Sequence, residues 1–291
     1  MRDAAEREEA ELRARLRSSP ATSDLAEGVL TPVDGGLSNR AWRLVTAAAT
    51  WFVRLGHPDA MRLGVDRHSE CAVLRAAAAA GIAPPVRACI PDQGLLVTRF
   101  IAARPWTAAD VQHEDNLRRI AAQLRRLHEL PVPAGVQEVD YARQSLHLAA
   151  GLPAPDATAA ILMERAAAAF ARIAGRRFER VLCHHDLHHL NLIDDGERLW
   201  LVDWEYGGRG DSLLDVAGFL ALHDLGADPT AVFVAAYGRL GLADLAVLDD
   251  ARWVFDYVQW LWYRSRFADP AAGEGRHAER LAQRLLRCNN H

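Results

Sequence analysis

Lysine is absent from this sequence of 291 residues, so all 34 of its basic residues are arginine. This absence excludes chemistry that needs a lysine amine, such as Schiff-base catalysis or the lysine of a Walker-type phosphate loop. Cysteine is scarce, and no C-x-x-C spacing occurs. We therefore expect neither a zinc knuckle nor a disulfide framework among the four cysteines, Cys71, Cys89, Cys183 and Cys288.

Long apolar runs are also missing. Residues 1–18 consist mostly of arginine, glutamate and alanine, and they lack the apolar core of a signal peptide. The alanine-rich stretches at 76–80 and 166–169 are too short to span a bilayer. The net charge of −4 comes without a basic block, which argues against nucleic-acid binding. We therefore expect a cytoplasmic protein that binds neither membrane nor nucleic acid.

The predicted secondary structure changes near residue 101. Residues 4–18 have the composition of an exposed helix. Extended segments follow at 28–33, 41–46, 50–55, 86–90 and 95–100, with one helical pattern at 66–80. Beyond them, helices are predicted at 114–129, 157–174, 229–240, 245–267 and 276–288, with short strands at 181–183, 191–193 and 199–202. This order predicts an α+β fold with an amino-terminal helix (1–20), a sheet-rich lobe (21–101) and a helix-rich lobe (102–291).

The densest chemical signal is the segment from His184 to Asn191, which reads HHDLHHLN and is followed twelve residues later by Asp203. A hairpin can place Asn191 and Asp203 side by side at its ends. One amide oxygen and one carboxylate form a hard-oxygen site suited to Mg²⁺ and phosphates. Asp186 would then face a substrate hydroxyl and accept its proton. The spacing H-x-D-x4-N with a later Asp is that of a phosphotransferase catalytic loop.

Two other interpretations of this segment stay open. Its four histidines, with Asp186 between them, could ligate zinc or a di-metal centre, although the sequence has no second His/Asp cluster to complete a dinuclear site. A polar loop with helix-capping Asp and Asn residues is the purely structural alternative. In the phosphotransferase interpretation, His184 supports the backbone of the loop.

Residues 182–217, with Asp203-Trp204-Glu205-Tyr206, Gly210-Asp211 and Asp215, resemble the choline/ethanolamine kinase and bacterial thiamine kinase branch of the aminoglycoside-phosphotransferase superfamily. The resemblance implies a bilobal protein-kinase-like fold: a small antiparallel-sheet N-lobe with one main helix, and a larger helical C-lobe. It also implies ATP and Mg²⁺ as cofactors. A protein kinase itself is not indicated, because the motifs G-x-G-x-x-G-x-V, V-A-I-K and A-P-E are missing.

The resemblance assigns roles within the catalytic segment. It makes Asp186 the catalytic base. His184, the first residue of the H-x-D motif, is the second catalytic candidate. Asn191 and Asp203 become the Mg²⁺ ligands, and Glu205 helps to bind metal or substrate.

The resemblance also implies a nucleotide site in the first hundred residues. The turn at 35–39 resembles the loop that covers the phosphates, where the backbone at Gly36 and the side chains of Ser38 and Asn39 donate hydrogen bonds. Thr98 and Phe100 belong to a segment that resembles the inter-lobe hinge, which binds adenine through backbone groups.

Arg54 occupies the strand position where protein kinases carry lysine. A guanidinium can bridge phosphate oxygens, and it needs an anionic anchor. Glu70 on the following helix is the expected partner. The alternatives are a surface arginine at a strand end and an exposed helical glutamate.

Aromatic residues concentrate in 252–267, and by resemblance choline kinases carry a tryptophan-rich helix at a similar place. Aromatic faces bind quaternary ammonium groups. Trp260 and Trp262 are the predicted substrate contacts, but two residues apart on a helix they point about 200° apart and cannot both face one ligand. A buried aromatic helix is the alternative. Four carboxylates suit a cationic substrate, and the first two are predicted to contact it: Glu205, Asp211, Asp215 and Asp224.

These observations predict an ATP- and Mg²⁺-dependent phosphotransferase that acts on the hydroxyl of a small cationic alcohol such as choline, ethanolamine or thiamine. The alternatives are an aminoglycoside or sugar phosphotransferase of the same fold and a non-catalytic, nucleotide-binding pseudokinase. A metallohydrolase is a more distant one. We expect a monomer or a homodimer.

Overall fold

The computed structural model describes residues 2–33, 39–56, 64–152, 156–267 and 273–287. These residues fall into two compact units. The first draws on 1–105, 132–137 and 191–207, and the second on 106–131, 138–190 and 208–291. Among the described helices, none is long and apolar enough to cross a membrane. The lobe boundaries at 20 and 101 stay predictions.

A five-stranded antiparallel sheet forms the centre of the first unit. Its strands are β1 (Val29–Pro32), β2 (Asn39–Val45), β3 (Thr50–Gly56), β4 (Val86–Ile90) and β5 (Leu95–Arg99). They lie in the order β1-β2-β3-β5-β4. The central strand β3 is rich in the bulky residue types that favour strands. Its register places Arg54 between Ala41 and Leu96.

The amino-terminal helix α1 (Arg2–Arg17) packs on this sheet. Leu12 and Leu16 have no exposed surface and belong to the same buried cluster as Leu44 and Val53 of the strands. Burial of one leucine side chain contributes about 1.5–3 kcal/mol. Because these contacts bury two leucines, the helix is an integral part of the first unit.

Helix α2 (Arg67–Ala79) begins after Asp66, whose side chain accepts the N–H groups of residues 68 and 69. One turn further on, Cys71 forms a disulfide with Cys89 of β4. The expectation that no disulfide forms is therefore wrong for this pair. The two cysteines are 18 residues apart, and only the packing of the helix beside the strand brings their Cα atoms to 5.8 Å.

The first unit also contains the hairpin formed by β7 (Leu192–Asp194) and β8 (Leu199–Leu201). The register pairs Leu192 with Leu201, and the Val202 N–H donates to the Asn191 carbonyl at 3.0 Å. The predicted ends of both strands differ from the observed ends by one residue at most. In the turn, Asp195 accepts the N–H groups of residues 197 and 198.

The second unit is mainly helical. Its helices are α3 (Ala108–Val111), α4 (Glu114–His128), α5 (Tyr141–Ala150), α6 (Ala157–Ala174), α7 (Ser212–Leu222), α8 (Ala227–Tyr237), α9 (Leu242–Leu245), α10 (Leu248–Arg266) and α11 (Gly273–Arg287). Strands β6 (Arg180–Cys183) and β9 (Gly208–Asp211) pair with each other in antiparallel orientation. Helix α10 packs against α5, α6, α7 and α11. The predicted helix at 157–174 is confirmed as α6.

Helix α7 and strand β9 are missing from the sequence-based prediction. Nine of the eleven residues of α7 are buried, and apart from Ser212 and Asp215 the helix is apolar on every side, so it shows no amphipathic period. Strand β9 contains two glycines, an arginine and an aspartate, a composition that does not favour strands. Both elements depend on the surrounding core rather than on a local pattern.

Candidate active site

The loop 184–190 follows β6, and its first turn is held by one carboxylate of the second unit. Asp215 of α7 accepts the backbone N–H of His184 at 2.8 Å and that of His185 at 2.7 Å. One oxygen atom serves each N–H, so the two bonds set the direction in which the chain enters the loop. Asp186 is the next residue. These two bonds give Asp215 a structural role in fixing the start of the loop.

A buried chain of side chains supports Asp215 in turn. His128 Nε2 lies 3.0 Å from Asp215 Oδ2, and His128 Nδ1 lies 2.7 Å from the Tyr237 hydroxyl. Burial alone would raise the pKa of Asp215, but the hydrogen bond from His128 and the neighbouring imidazoles hold that pKa well below its usual range. The carboxylate therefore stays ionised and keeps accepting both backbone N–H groups.

Two histidines of the loop face inward. His184 is fully buried, and its Nδ1 accepts the Asp186 N–H at 3.3 Å, which agrees with a role in supporting the loop backbone. His185 has a positive φ of 65° and packs on Gly210 of β9. A Cβ atom at position 210 would lie 2.5 Å from His185 Nε2, so a residue with a side chain there would displace the imidazole.

The histidine-ligated metal centre finds little support in these contacts. Among the described residues, one group of three places possible ligand atoms within 4.8 Å of one another: His128, Cys183 and Asp215. None of the loop histidines belongs to it. Burial raises the pKa of the Cys183 thiol well above its usual value, while His128 and Asp215 already bind each other. Asp215, supported by His128, instead binds the backbone at the start of the loop.

Acidification is expected to lower the stability of this region. Burial lowers the pKa of His185, His188 and His223 from about 6.5 to about 4. Between these values the unfolded chain binds protons that the folded protein does not, so the free energy of unfolding falls as the pH drops from 6.5 towards 4. From pH 7 to pH 5, His185 alone accounts for a loss of about 2 kcal/mol.

Urea unfolding of the parent and of His185→Gln at the two pH values tests this expectation. Asp256 has the opposite effect on the pH dependence of stability, because burial raises the pKa of its carboxyl to about 6. The informative quantity is therefore the difference in pH dependence between the parent and the variant. The pH dependence should be weaker in His185→Gln and unchanged in the exposed control His147→Gln. Equal slopes in all three proteins would contradict the burial of neutral His185.

In the first unit, Arg54 and Glu70 form the ion pair that the sequence suggests. Arg54 Nη2 lies 2.6 Å from Glu70 Oε1 and 2.7 Å from Oε2, and both side chains are at least 95% buried. Arg54 Nη1 faces Asp203 Oδ1 at 3.5 Å. Burial opposes the charge on Arg54, but Glu70, Asp203 and Glu205 outweigh it and raise the pKa of the guanidinium. Arg54 is therefore a fixed cation beside Asp203.

Asn191 and Asp203 flank the two ends of the β7–β8 hairpin, as the sequence suggests. Residue 191 pairs through its backbone with Val202, which directly precedes Asp203. The Asp203 side chain is 40% exposed, and its backbone has a positive φ of 63°. The donor chemistry fits Mg²⁺, because a carboxylate and an amide both offer hard oxygen atoms. Their role as ligands stays a prediction.

A second arginine, Arg67, joins this cluster. Its Nη1 contacts Glu70 Oε2 at 2.7 Å and Glu205 Oε2 at 3.3 Å, while its Nη2 donates to Asn39 Oδ1 at 2.8 Å. Asn39 Nδ2 closes the ring by donating to Glu205 Oε2 at 2.8 Å. Sequence reasoning missed Arg67. Its position three residues before Glu70, on the same face of α2, was the available signal.

Four other residues are predicted to contact the nucleotide. Gly36 and Ser38 lie outside the described residues, whereas Thr98 and Phe100 lie within them. Thr98 lies in β5 opposite Phe52 and is buried. The Phe100 N–H donates to the Thr50 carbonyl at 3.1 Å, so the chain stays paired with β3 just beyond the end of β5. Binding of nucleotide at these positions stays a prediction.

Three predicted substrate contacts lie in the second unit. Asp211 is buried, accepts the Leu213 N–H and forms an ion pair with Arg176. Trp260 has no exposed surface, and its ring stacks on Tyr257 with centroids 5.9 Å apart. Trp262 is half-buried, and the guanidinium of Arg266 lies 3.6 Å from its ring centroid. These contacts account for the burial of Asp211 and Trp260, and the substrate roles stay predictions.

Comparison with known families identifies this arrangement. The model of the phosphotransferase enzyme family matches residues 29–252, which is most of the chain. The chain belongs to this family. For this phosphotransferase-family protein, the fold class predicted from the sequence is confirmed: the fold is protein-kinase-like, with a five-stranded antiparallel sheet in one part and mainly helices in the other.

Proteins similar to the phosphotransferase-family chain in sequence or fold include kinases for different substrates. A LicA homolog from Mycoplasma capricolum is 24% identical over 161 residues, which cover 54% of this chain and 63% of the relative. Choline kinase LicA from Streptococcus pneumoniae has a TM-score of 0.79 at 18% identity, with 96% of this chain and 99% of that chain covered. The ADP-bound aminoglycoside phosphotransferase APH(2'')-Ib has a TM-score of 0.67 at 14% identity, with 96% and 97% covered.

Proposed function

We propose that this protein is a kinase that transfers the terminal phosphoryl group of ATP to the hydroxyl of a small cationic alcohol such as choline, ethanolamine or thiamine. The observation that carries the proposal is the buried Arg54–Glu70 pair next to Asp203. A fixed cation beside a half-exposed carboxylate is the arrangement that phosphate binding with a divalent ion requires.

In this proposal, each residue acts through its charge or its hydrogen bonds. Asp186 accepts the proton of the substrate hydroxyl, and the two preceding backbone N–H groups, which donate to Asp215, keep the loop in place. Arg54 binds phosphate oxygens. Asn191 and Asp203 would hold Mg²⁺, which supplies neutralisation of phosphate charge when bound. Most of the rate gain then comes from alignment and charge compensation rather than from covalent chemistry.

The choice of a cationic alcohol rests on the named relatives and on helix α10. The LicA structure is that of a choline kinase. Helix α10 carries a run of stacked aromatic side chains, among them Trp253 on Tyr257 with ring centroids 5.6 Å apart. The partly exposed Trp262 already packs against one cation, the guanidinium of Arg266. A ring that binds arginine in this way suits a quaternary ammonium or thiazolium group.

ATP consumption in the presence of Mg²⁺ tests the proposal. The panel of acceptors contains choline, ethanolamine, thiamine, a kanamycin-type aminoglycoside and an amino sugar. We expect turnover with at least one of the first three acceptors and only background hydrolysis without an acceptor.

Turnover confined to the aminoglycoside would overturn the substrate class and keep the kinase. Nucleotide binding without turnover of any acceptor would favour a pseudokinase. If the protein failed to bind ATP at all, the proposal would be wrong.

A further inference from the structure

Arg67 lies at the centre of a mostly buried charge network in the first unit. The network contains two guanidinium groups, from Arg54 and Arg67, and three carboxylates, from Glu70, Asp203 and Glu205. Glu70 is 1% exposed and Glu205 is 4% exposed. Because buried carboxylates need paired cations, the position of each of these two depends on the arginines.

The contacts of Arg67 diverge in a way that suits only a guanidinium. Nη1 reaches Glu70 and Glu205 together, while Nη2 reaches the side-chain oxygen of Asn39. A lysine ammonium is a compact point charge and cannot offer two groups fixed in one plane. The guanidinium group of Arg67 therefore connects helix α2, strand β2 and the segment after β8.

The guanidinium of Arg67 also lies close to the backbone at Gly56, the last residue of β3. A Cβ atom at position 56 would lie 2.9 Å from both Nε and Nη2 of Arg67. Any residue larger than glycine there would push the guanidinium out of its plane of contacts. This close contact does not depend on charge, so the backbone at Gly56 also helps to define the position of the Arg67 side chain.

We propose that Arg67 is a positioning residue that compensates the charge of Glu70 and Glu205 and thereby holds Arg54 and Asn39 in place for the triphosphate. This inference rests on the proposed function. With Arg67 present, the network carries two positive and three negative charges, and Asp203 is the most exposed of the three carboxylates in it. Without Arg67, two buried carboxylates lose a partner, and the excess negative charge opposes a polyanion.

A double-mutant cycle with Arg67→Gln and Glu205→Gln tests the inference through the Kd and KM of ATP-Mg²⁺. Arg67→Gln should weaken nucleotide binding by about ten- to a hundredfold, because the network then carries one more negative charge facing a polyanion. Adding Glu205→Gln restores the original net charge of the network and should recover most of the affinity. Arg67→Lys and Gly56→Ala should each weaken nucleotide binding. The first replaces the planar guanidinium by a compact point charge, and the second displaces the guanidinium.

Arg17→Gln is the matched control, since Arg17 is 55% exposed and pairs with the exposed Glu27. Its Kd should equal that of the parent. An unchanged Kd in Arg67→Gln would overturn the inference. So would a loss that Glu205→Gln fails to recover, because Arg67 would then act on the nucleotide directly.

The same cycle measured by urea unfolding without nucleotide separates this inference from the proposed function. Glu205→Gln should destabilise the parent, because Arg67 loses one of its carboxylate partners. The same change should stabilise Arg67→Gln, because there the Glu205 carboxylate has already lost its arginine partner. Additive effects of the two changes would overturn the network. If the parent protein bound no ATP while Glu205→Gln still had opposite effects on the stability of the parent and of Arg67→Gln, the proposed function would be overturned. Arg67 would then remain the residue that organises the network.

Discussion

Replacement of Asp186 by asparagine is expected to reduce kcat by about 10²- to 10⁴-fold, the usual contribution of a positioned general base. The amide has the same size but cannot take the proton of the hydroxyl. The loop should keep its course, because Asp215 holds it through the backbone of the two preceding residues and not through the Asp186 carboxylate. The Kd for ATP-Mg²⁺ and the free energy of unfolding should therefore stay close to those of the parent.

Steady-state kinetics with the best acceptor of the panel measures this effect. Asp228→Asn provides the control, because Asp228 is an exposed aspartate in the first turn of α8. The control should retain full kcat. If Asp186→Asn retained it as well, the assignment of Asp186 as the base would be wrong. A fall in kcat accompanied by loss of folding would point to a structural role instead.

Replacement of Asp203 by asparagine is expected to lower kcat by about 10²- to 10³-fold and to raise the Mg²⁺ concentration needed for half-maximal rate. An amide oxygen still binds a divalent ion but carries no negative charge. The backbone should tolerate the change, since φ at this position is 63° and asparagine adopts that conformation more readily than most residues. Arg54 keeps its buried partner Glu70, so the sheet should remain intact.

Rate measurements over a range of Mg²⁺ concentrations test this expectation. Glu197→Gln removes one charge from the exposed turn of the same hairpin and serves as the control. The variant Asp203→Asn should regain part of its rate at high Mg²⁺, whereas a purely structural defect would not respond to the ion. An unchanged Mg²⁺ requirement in Asp203→Asn would contradict its role as a ligand.

Much of the first unit could be predicted from the sequence, because its chemistry depends on neighbours along the chain. Arg54 and Glu70 are separated by one connection between a strand and the next helix, and two such elements pack against each other. Asn191 and Asp203 flank a short hairpin, so the pairing of the strands brings their backbones together. Membership of the phosphotransferase family and the fold class were expected from the resemblance of residues 182–217, and the comparisons confirmed both.

The contacts that complete the charge network of the first unit and the support of the loop 184–190 in the second unit are long-range and could not be predicted. Arg67 and Glu205 are 138 residues apart, and His128 and Tyr237 are 109 apart. No period or spacing links such pairs. Each arises when a buried polar group must find a partner inside the packed core, and the partner depends on which elements meet there.

Helix α10 separates the two kinds of information clearly. The sequence alone determines that Trp260 and Trp262 point in different directions, because each residue turns a helix by about 100°. It also determines the phosphotransferase spacing around Asp186 and the absence of any lysine, and it predicts the five strands of the first unit's sheet, although not helix α7 or strand β9. Tertiary structure alone decided that Trp260 rather than Trp262 is buried, that Cys71 meets Cys89, and that Arg67 joins Glu70 to Glu205. Covalent spacing governs the first group, whereas the second follows from burial, where each side chain takes the partners that packing leaves within reach.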